Sequence, residues 1–179
     1  MKRTSVLQVL GGASFGLMDG IICALGIIIG VAAATSNTTT VIIAGVIGGV
    51  ADAFGNSIGF YISHLAERGV QKHEKAKNKV NHKIYTREKA LLSGIASFLV
   101  TVLTFGVLLI PFVLLPIMIA SSVSFAIAIV ALAALGAYVA KLSRESAWKT
   151  SLWYACLGVA GAVVSYWVGS QLKVIFGTQ

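Results

Sequence analysis

Residues 12–34, GASFGLMDGIICALGIIIGVAAA, and residues 41–63, VIIAGVIGGVADAFGNSIGFYIS, are each apolar enough to cross a bilayer, and each carries a carboxylate. A spanning helix needs about 20 mostly apolar residues. An ionisable side chain at mid-bilayer costs ~3 kcal/mol on insertion scales, so such residues are usually kept for an ion path, a proton relay or a substrate contact. Asp19 and Asp52 are the anomaly in these two runs; the other acids, Glu67, Glu74, Glu88 and Glu145, lie in polar stretches. The alternative for each Asp is a protonated or locally paired structural residue.

Working outward, the same pattern fills the chain. Apolar runs at about 6–34, 41–63, 90–110, 116–140 and 151–172 give an expected all-α integral membrane protein with five transmembrane helices. Residues 1–179 then form a single transmembrane domain with a loop at 64–89. A composition 57% hydrophobic and 11% charged, with mean hydropathy +0.89, excludes a soluble domain. A barrel would alternate in roughly ten-residue segments, which these runs do not. Met1-Lys2-Arg3 before an apolar run imitates a signal peptide, but the run is too long and reads as a retained first span.

The formal charge of +8 does not point to nucleic acid, because it is confined to particular connections. All the Lys and Arg except Lys173 fall at the N-terminus, between spans two and three, or between spans four and five. The positive-inside rule then expects a cytoplasmic N-terminus, a cytoplasmic loop at 64–89 and a C-terminus outside, in a cell or organelle membrane. Trp148, Trp153 and Tyr154, with Tyr166 and Trp167, suit interfacial belts at the two ends of span five.

TSNTTT (35–40) is short and polar, so spans one and two should form an antiparallel hairpin. PFVLLP (111–116) is expected to break the long apolar stretch into spans three and four, because proline lacks an amide donor. A turn centred between Asn37 and Thr38 would put Asp19 level with Asn56 and Cys23 level with Asp52. Gly12, Gly16 and Gly20 repeat every four residues on span one. Such a stripe allows close helix approach, either within one chain or along a homodimer seam.

Asp19 and Cys23 share a helix face, with Met18 adjacent, and Asp52 and Asn56 are likewise four apart. Carboxylates, an amide oxygen and a sulfur form a mixed hard–soft set that suits first-row divalent metals. Cys23 and Met18 could equally be packing residues. His64 with Glu67, three apart, is a weaker candidate for a cytoplasmic metal contact, beside the alternative of a solvated basic loop. His64, His73 and His82 recur every nine residues and cannot converge on one helix face. There is no HExxH, GxSxG, CxxC or phosphate-binding glycine loop, so no enzyme and no resident cofactor are expected.

DGIICALGIIIGVAAA resembles the first span of the vacuolar iron transporter family, and GNSIGFYIS resembles that family's second-span Gly-Glu-Tyr-Leu-Ser region. LLIPFVLLP and ALGAYVAKLSRESAWKTSLWYACLGVAGAVVSYWVGSQL are similar to its third to fifth spans. The resemblance implies a homodimer of five-helix chains that exports Fe²⁺ or Mn²⁺ from the cytoplasm by proton antiport. It implies that Asp19 is a transport ligand; the spacing of the residues themselves, not the resemblance, adds Asp52, Asn56, Cys23 and Met18 to the expected site. Its partners would be metal, protons and the bilayer, with no nucleic acid. The chain departs from the family at Asn56, where a methionine is expected, and at Phe60, where a glutamate is expected. It also has a short basic loop in place of a glutamate-rich cytoplasmic metal-binding domain, as in a prokaryotic branch. Two other functions remain open: a proton-coupled carrier or channel for another small solute, and a non-transporting membrane interaction protein.

Overall fold

A computed structural model describes residues 2–76 and 86–177, with side chains for 10–73 and 86–177. It contains α1 (Lys2–Thr35), α2 (Thr38–Ala76), α3 (Arg87–Leu114), α4 (Ile117–Ser143) and α5 (Ala147–Phe176). All five are long and apolar enough to cross a membrane. α2, at 39 residues, is ~58 Å long at 1.5 Å per residue, well beyond the ~30 Å hydrocarbon core. The start of the polar stretch at 64–89 is therefore a helical continuation of α2, as its sequence allows for part of that connection. His82 lies outside the described residues.

The ends of these helices have local causes. Only Ser36 and Asn37 separate α1 from α2, with Ser36 at φ 50°. Asn37 caps α2: its Oδ1 accepts from the Thr40 amide at 3.0 Å, and its carbonyl accepts from the Val41 amide at 3.1 Å. The threonines after it are thus drawn into the helix, and the connection is shorter than TSNTTT suggests. The break in PFVLLP falls later than expected. Pro111 lies inside α3, and its carbonyl accepts from the Leu115 amide at 2.8 Å. One missing donor in the last turn does not end a helix. Leu115 does, because it precedes Pro116 and is held extended at φ −131°, ψ 154°.

α1 is the central element and packs against each of the other four helices. Ile21, Ala24, Leu25 and Ile28 of α1 meet Phe105, Leu108, Leu109 and Phe112 of α3 and Ala120, Ala128 and Leu132 of α4 in one buried cluster. The glycine stripe sets the α1–α3 contact. A Cβ added at Gly12 would strike the Ser93 carbonyl, one at Gly16 would lie 2.5 Å from the Ser97 carbonyl oxygen, and one at Gly20 would meet Thr101 at 3.3 Å. Partners advance four residues on both helices, so α1 and α3 run parallel in fixed register over two turns. Of the two uses open to Gly12, Gly16 and Gly20, packing within the chain is the one the structure shows. Their faces are filled by α3 and do not form a free dimer seam. Gly30 and Gly169 make a similar close approach between α1 and α5.

Gly16→Ala should destabilise the folded protein by at least the ~1–3 kcal/mol of an overpacked core, because a backbone cannot move aside as a side-chain tip can. Gly106→Ala, at a position with nothing within 4 Å, should stay within about 0.5 kcal/mol. Thermal unfolding in detergent compares the two; equal effects would mean that the α1–α3 approach is not tight.

Candidate metal site

The short turn fixes how α1 and α2 face each other. Ile27 packs where a Cβ on Gly48 would sit, Cys23 lies beside Asp52, and Phe15 stacks on Phe60 with ring centroids 5.4 Å apart. Each step back along α1 is matched by an equal step forward along α2, as an antiparallel pair requires. Side chains on a helix lean toward its N-terminus. Those of α1 therefore lean away from the turn and those of α2 toward it, which settles the pairing.

This register brings three sequence-selected residues together. Carboxylate oxygens of Asp19 and Asp52 and the Cys23 thiol sulfur all lie within 4.8 Å of one another, and all three residues are half-buried. Two unit charges within 4.8 Å of each other repel by about 3.5 kcal/mol or more at an effective dielectric constant of 20, a repulsion that a divalent cation offsets. Ligand bonds of about 2.0–2.3 Å span separations up to about twice that, so a small inward shift would let all three ligands hold one ion. Carboxylates and a thiol suit a transition metal better than an alkali ion.

Asn56, one turn beyond Asp52, joins the group. Its Nδ2 donates to Asp52 Oδ2 at 3.3 Å and to Thr101 Oγ1 at 3.5 Å. Thr101 is fully buried and donates in turn to the Gly16 carbonyl at 3.1 Å. Thr101 escaped the sequence reading. The available signal was Ser93, Ser97 and Thr101 recurring every four residues on α3, at the spacing of Gly12, Gly16 and Gly20.

The remaining candidates are Met18, His64 and Glu67. Met18, like Cys23, is partly buried against the hydrophobic core cluster; it lies about 100° around α1 from Asp19. His64 Nδ1 lies 3.5 Å from Glu67 Oε2, forming a pair of its own. His64 is three turns along α2 from Asp52, ~18 Å at helical rise, and the Phe60 ring intervenes edge-on, 4.6 Å from the imidazole. His64 and Glu67 do not share the site of Asp19, Cys23 and Asp52.

Residues 10–92, which carry most of α1, all of α2 and the start of α3, match the model of the VIT family. The match covers 83 of the 179 residues, so it is this segment that is similar to the VIT family. It is also similar to an uncharacterized protein of Methanocaldococcus jannaschii, 27% identical over 140 residues and covering 73% of each chain. The site of Asp19, Cys23 and Asp52 lies wholly within the matched segment. Five helices long and apolar enough to cross a membrane make this a multi-pass membrane protein.

The register is directly testable. In a chain with Cys23 and Cys156 replaced, Ile27→Cys with Gly48→Cys should crosslink through a short bifunctional thiol reagent. Ile27→Cys with Ile43→Cys, on the exposed face of α2, should not. Equal yields from both pairs would contradict the pairing of α1 and α2.

Proposed function

We propose that this protein is a secondary transporter that exports a divalent transition metal, Fe²⁺ or Mn²⁺, from the cytoplasm in exchange for protons. The observation that carries it is the convergence of Asp19, Cys23 and Asp52 within 4.8 Å, midway along two membrane-crossing helices. Nothing in bilayer packing rewards two facing carboxylates, and a site that alternately takes metal or protons does require them. Asn56 adds an oxygen ligand. The basic residues beside the ends of α2 and α3 support a cytoplasmic location for the N-terminal ends of α1 and α3.

The working unit is a homodimer with its seam on α2. Gly55 and Gly59 are open, with nothing within 4 Å of an added Cβ, and share the side of α2 that carries Asp52 and Asn56. A second copy there would cover the half-buried carboxylates, which in a lone chain would meet lipid. This replaces the span-one stripe as the contact.

Proteoliposome flux of Fe²⁺, Mn²⁺, Co²⁺, Ni²⁺ and Zn²⁺, with and without a pH gradient, tests the transport reading. Asp19→Asn and Asp52→Asn should each reduce flux by at least the ~10–100-fold that loss of a mere outer-shell partner costs. Transported metal should also protect Cys23 from thiol reagents. Full flux in both variants would remove the site from transport, and flux of some other solute would favour a proton-coupled carrier of a different kind. Labelling introduced cysteines at Lys72 and Gly177 in intact cells should show opposite accessibility; equal accessibility would refute a cytoplasmic α2 extension with the C-terminus outside.

A further inference from the structure

Asn56 is useful to a cation only through its oxygen, and an amide can turn either end toward a site. Its NH₂ group has two donors and its oxygen two lone pairs. Two neighbours decide which end faces where. Asp52, as a carboxylate, only accepts. Thr101 could in principle donate, but its single proton is directed to the Gly16 carbonyl at 3.1 Å, so toward Asn56 it too can only accept. Both neighbours therefore call for NH₂, and Nδ2 lies 3.3 Å from one and 3.5 Å from the other. Reversing the amide would set its oxygen against the Asp52 carboxylate and the Thr101 lone pairs. Among the described residues nothing donates to Asn56 Oδ1. The register of the hairpin puts residue 56 at the depth of Asp19.

We propose that Thr101 is a positioning residue: its hydroxyl, anchored on the Gly16 carbonyl, locks the Asn56 amide so that Oδ1 is presented to a divalent cation held by Asp19, Cys23 and Asp52. This rests on the metal-transport reading and adds a specificity determinant to it. An oxygen held in place raises affinity for harder ions such as Mn²⁺. A site with a freely turning amide leans on the Cys23 sulfur and loses less for soft ions such as Cd²⁺. The anchor belongs to the α1–α3 contact, so the packing of the bundle and the ligand set share one hydroxyl.

The test uses full-length protein in lipid nanodiscs with Cys156→Ala, so that Cys23 is the sole thiol. Mn²⁺ binding is read from the electron paramagnetic resonance signal of the free ion, and Cd²⁺ binding from the thiolate-to-cadmium charge-transfer band. Thr101→Val keeps the shape and removes the hydroxyl; it should weaken Mn²⁺ by about tenfold, as loss of an outer-shell partner does, and Cd²⁺ by clearly less. Thr101→Ser should restore most of the Mn²⁺ affinity. Asn56→Ala should cost as much Mn²⁺ affinity as Thr101→Val, and the two together no more than either alone. If Thr101→Val does not fold, Thr101→Ala takes its place. Unchanged Mn²⁺ affinity, equal losses for Mn²⁺ and Cd²⁺, or a full additional loss in the Asn56→Ala background would overturn the role of Thr101. In any of those cases, loss of Mn²⁺ binding in Asp19→Asn and Asp52→Asn would leave the metal site itself intact. Wild-type protein that binds neither ion would overturn both.

Discussion

The close approach of α1 to α3 is the contact on which the rest of the molecule depends. Between membrane helices there is no hydrophobic drive, since lipid tails are as apolar as leucine, and association relies on dispersion and hydrogen bonds at short range. Gly12, Gly16 and Gly20 remove the side chains that would hold α1 off, and Ser93, Ser97 and Thr101 present small polar groups in return. The reward is a hydrogen bond from Thr101 to a main-chain carbonyl one helix away. With α1 fixed on one side, its next face is free to carry chemistry toward α2.

That second face is made by an offset of one residue. Phe15, Asp19 and Cys23 each sit one position from a glycine-stripe residue or its continuation, about 100° around the helix. The same repeat of four thus serves two neighbours. α3 reads one column as backbone, and α2 meets the other as rings, carboxylate and thiol. The two-residue connection at Ser36–Asn37 then fixes depth, because so short a turn leaves little room for α2 to slide.

Much of this was legible in the sequence, and what was not has physical reasons. Five spans follow from hydropathy alone, since bilayer thickness sets a length that composition must meet. The depth of Asp19 against Asn56 could be counted because the turn is short. Which way the side chains face could not, because spacing fixes angles around one helix without saying which neighbour each face meets. The glycine stripe announced a close contact without naming the partner, because small residues suit a neighbour in the chain and a second copy equally. Thr101 was invisible while α3 was read only as an apolar span. Pro111 misled because proline was weighed without its position: in a final turn it deletes one donor, whereas Pro116 restricts the residue before it.

The two columns on α1 also decide what kinds of sequence change this helix can survive. A substitution touches one column at one level, and its neighbours can adjust around it. An inserted or deleted residue between Gly12 and Cys23 rotates everything beyond it by about 100° and shifts it by ~1.5 Å. Glycines would turn away from α3, carboxylate and thiol would turn away from α2, and both contacts would fail together. The first half of this chain can therefore drift in letters but not in length.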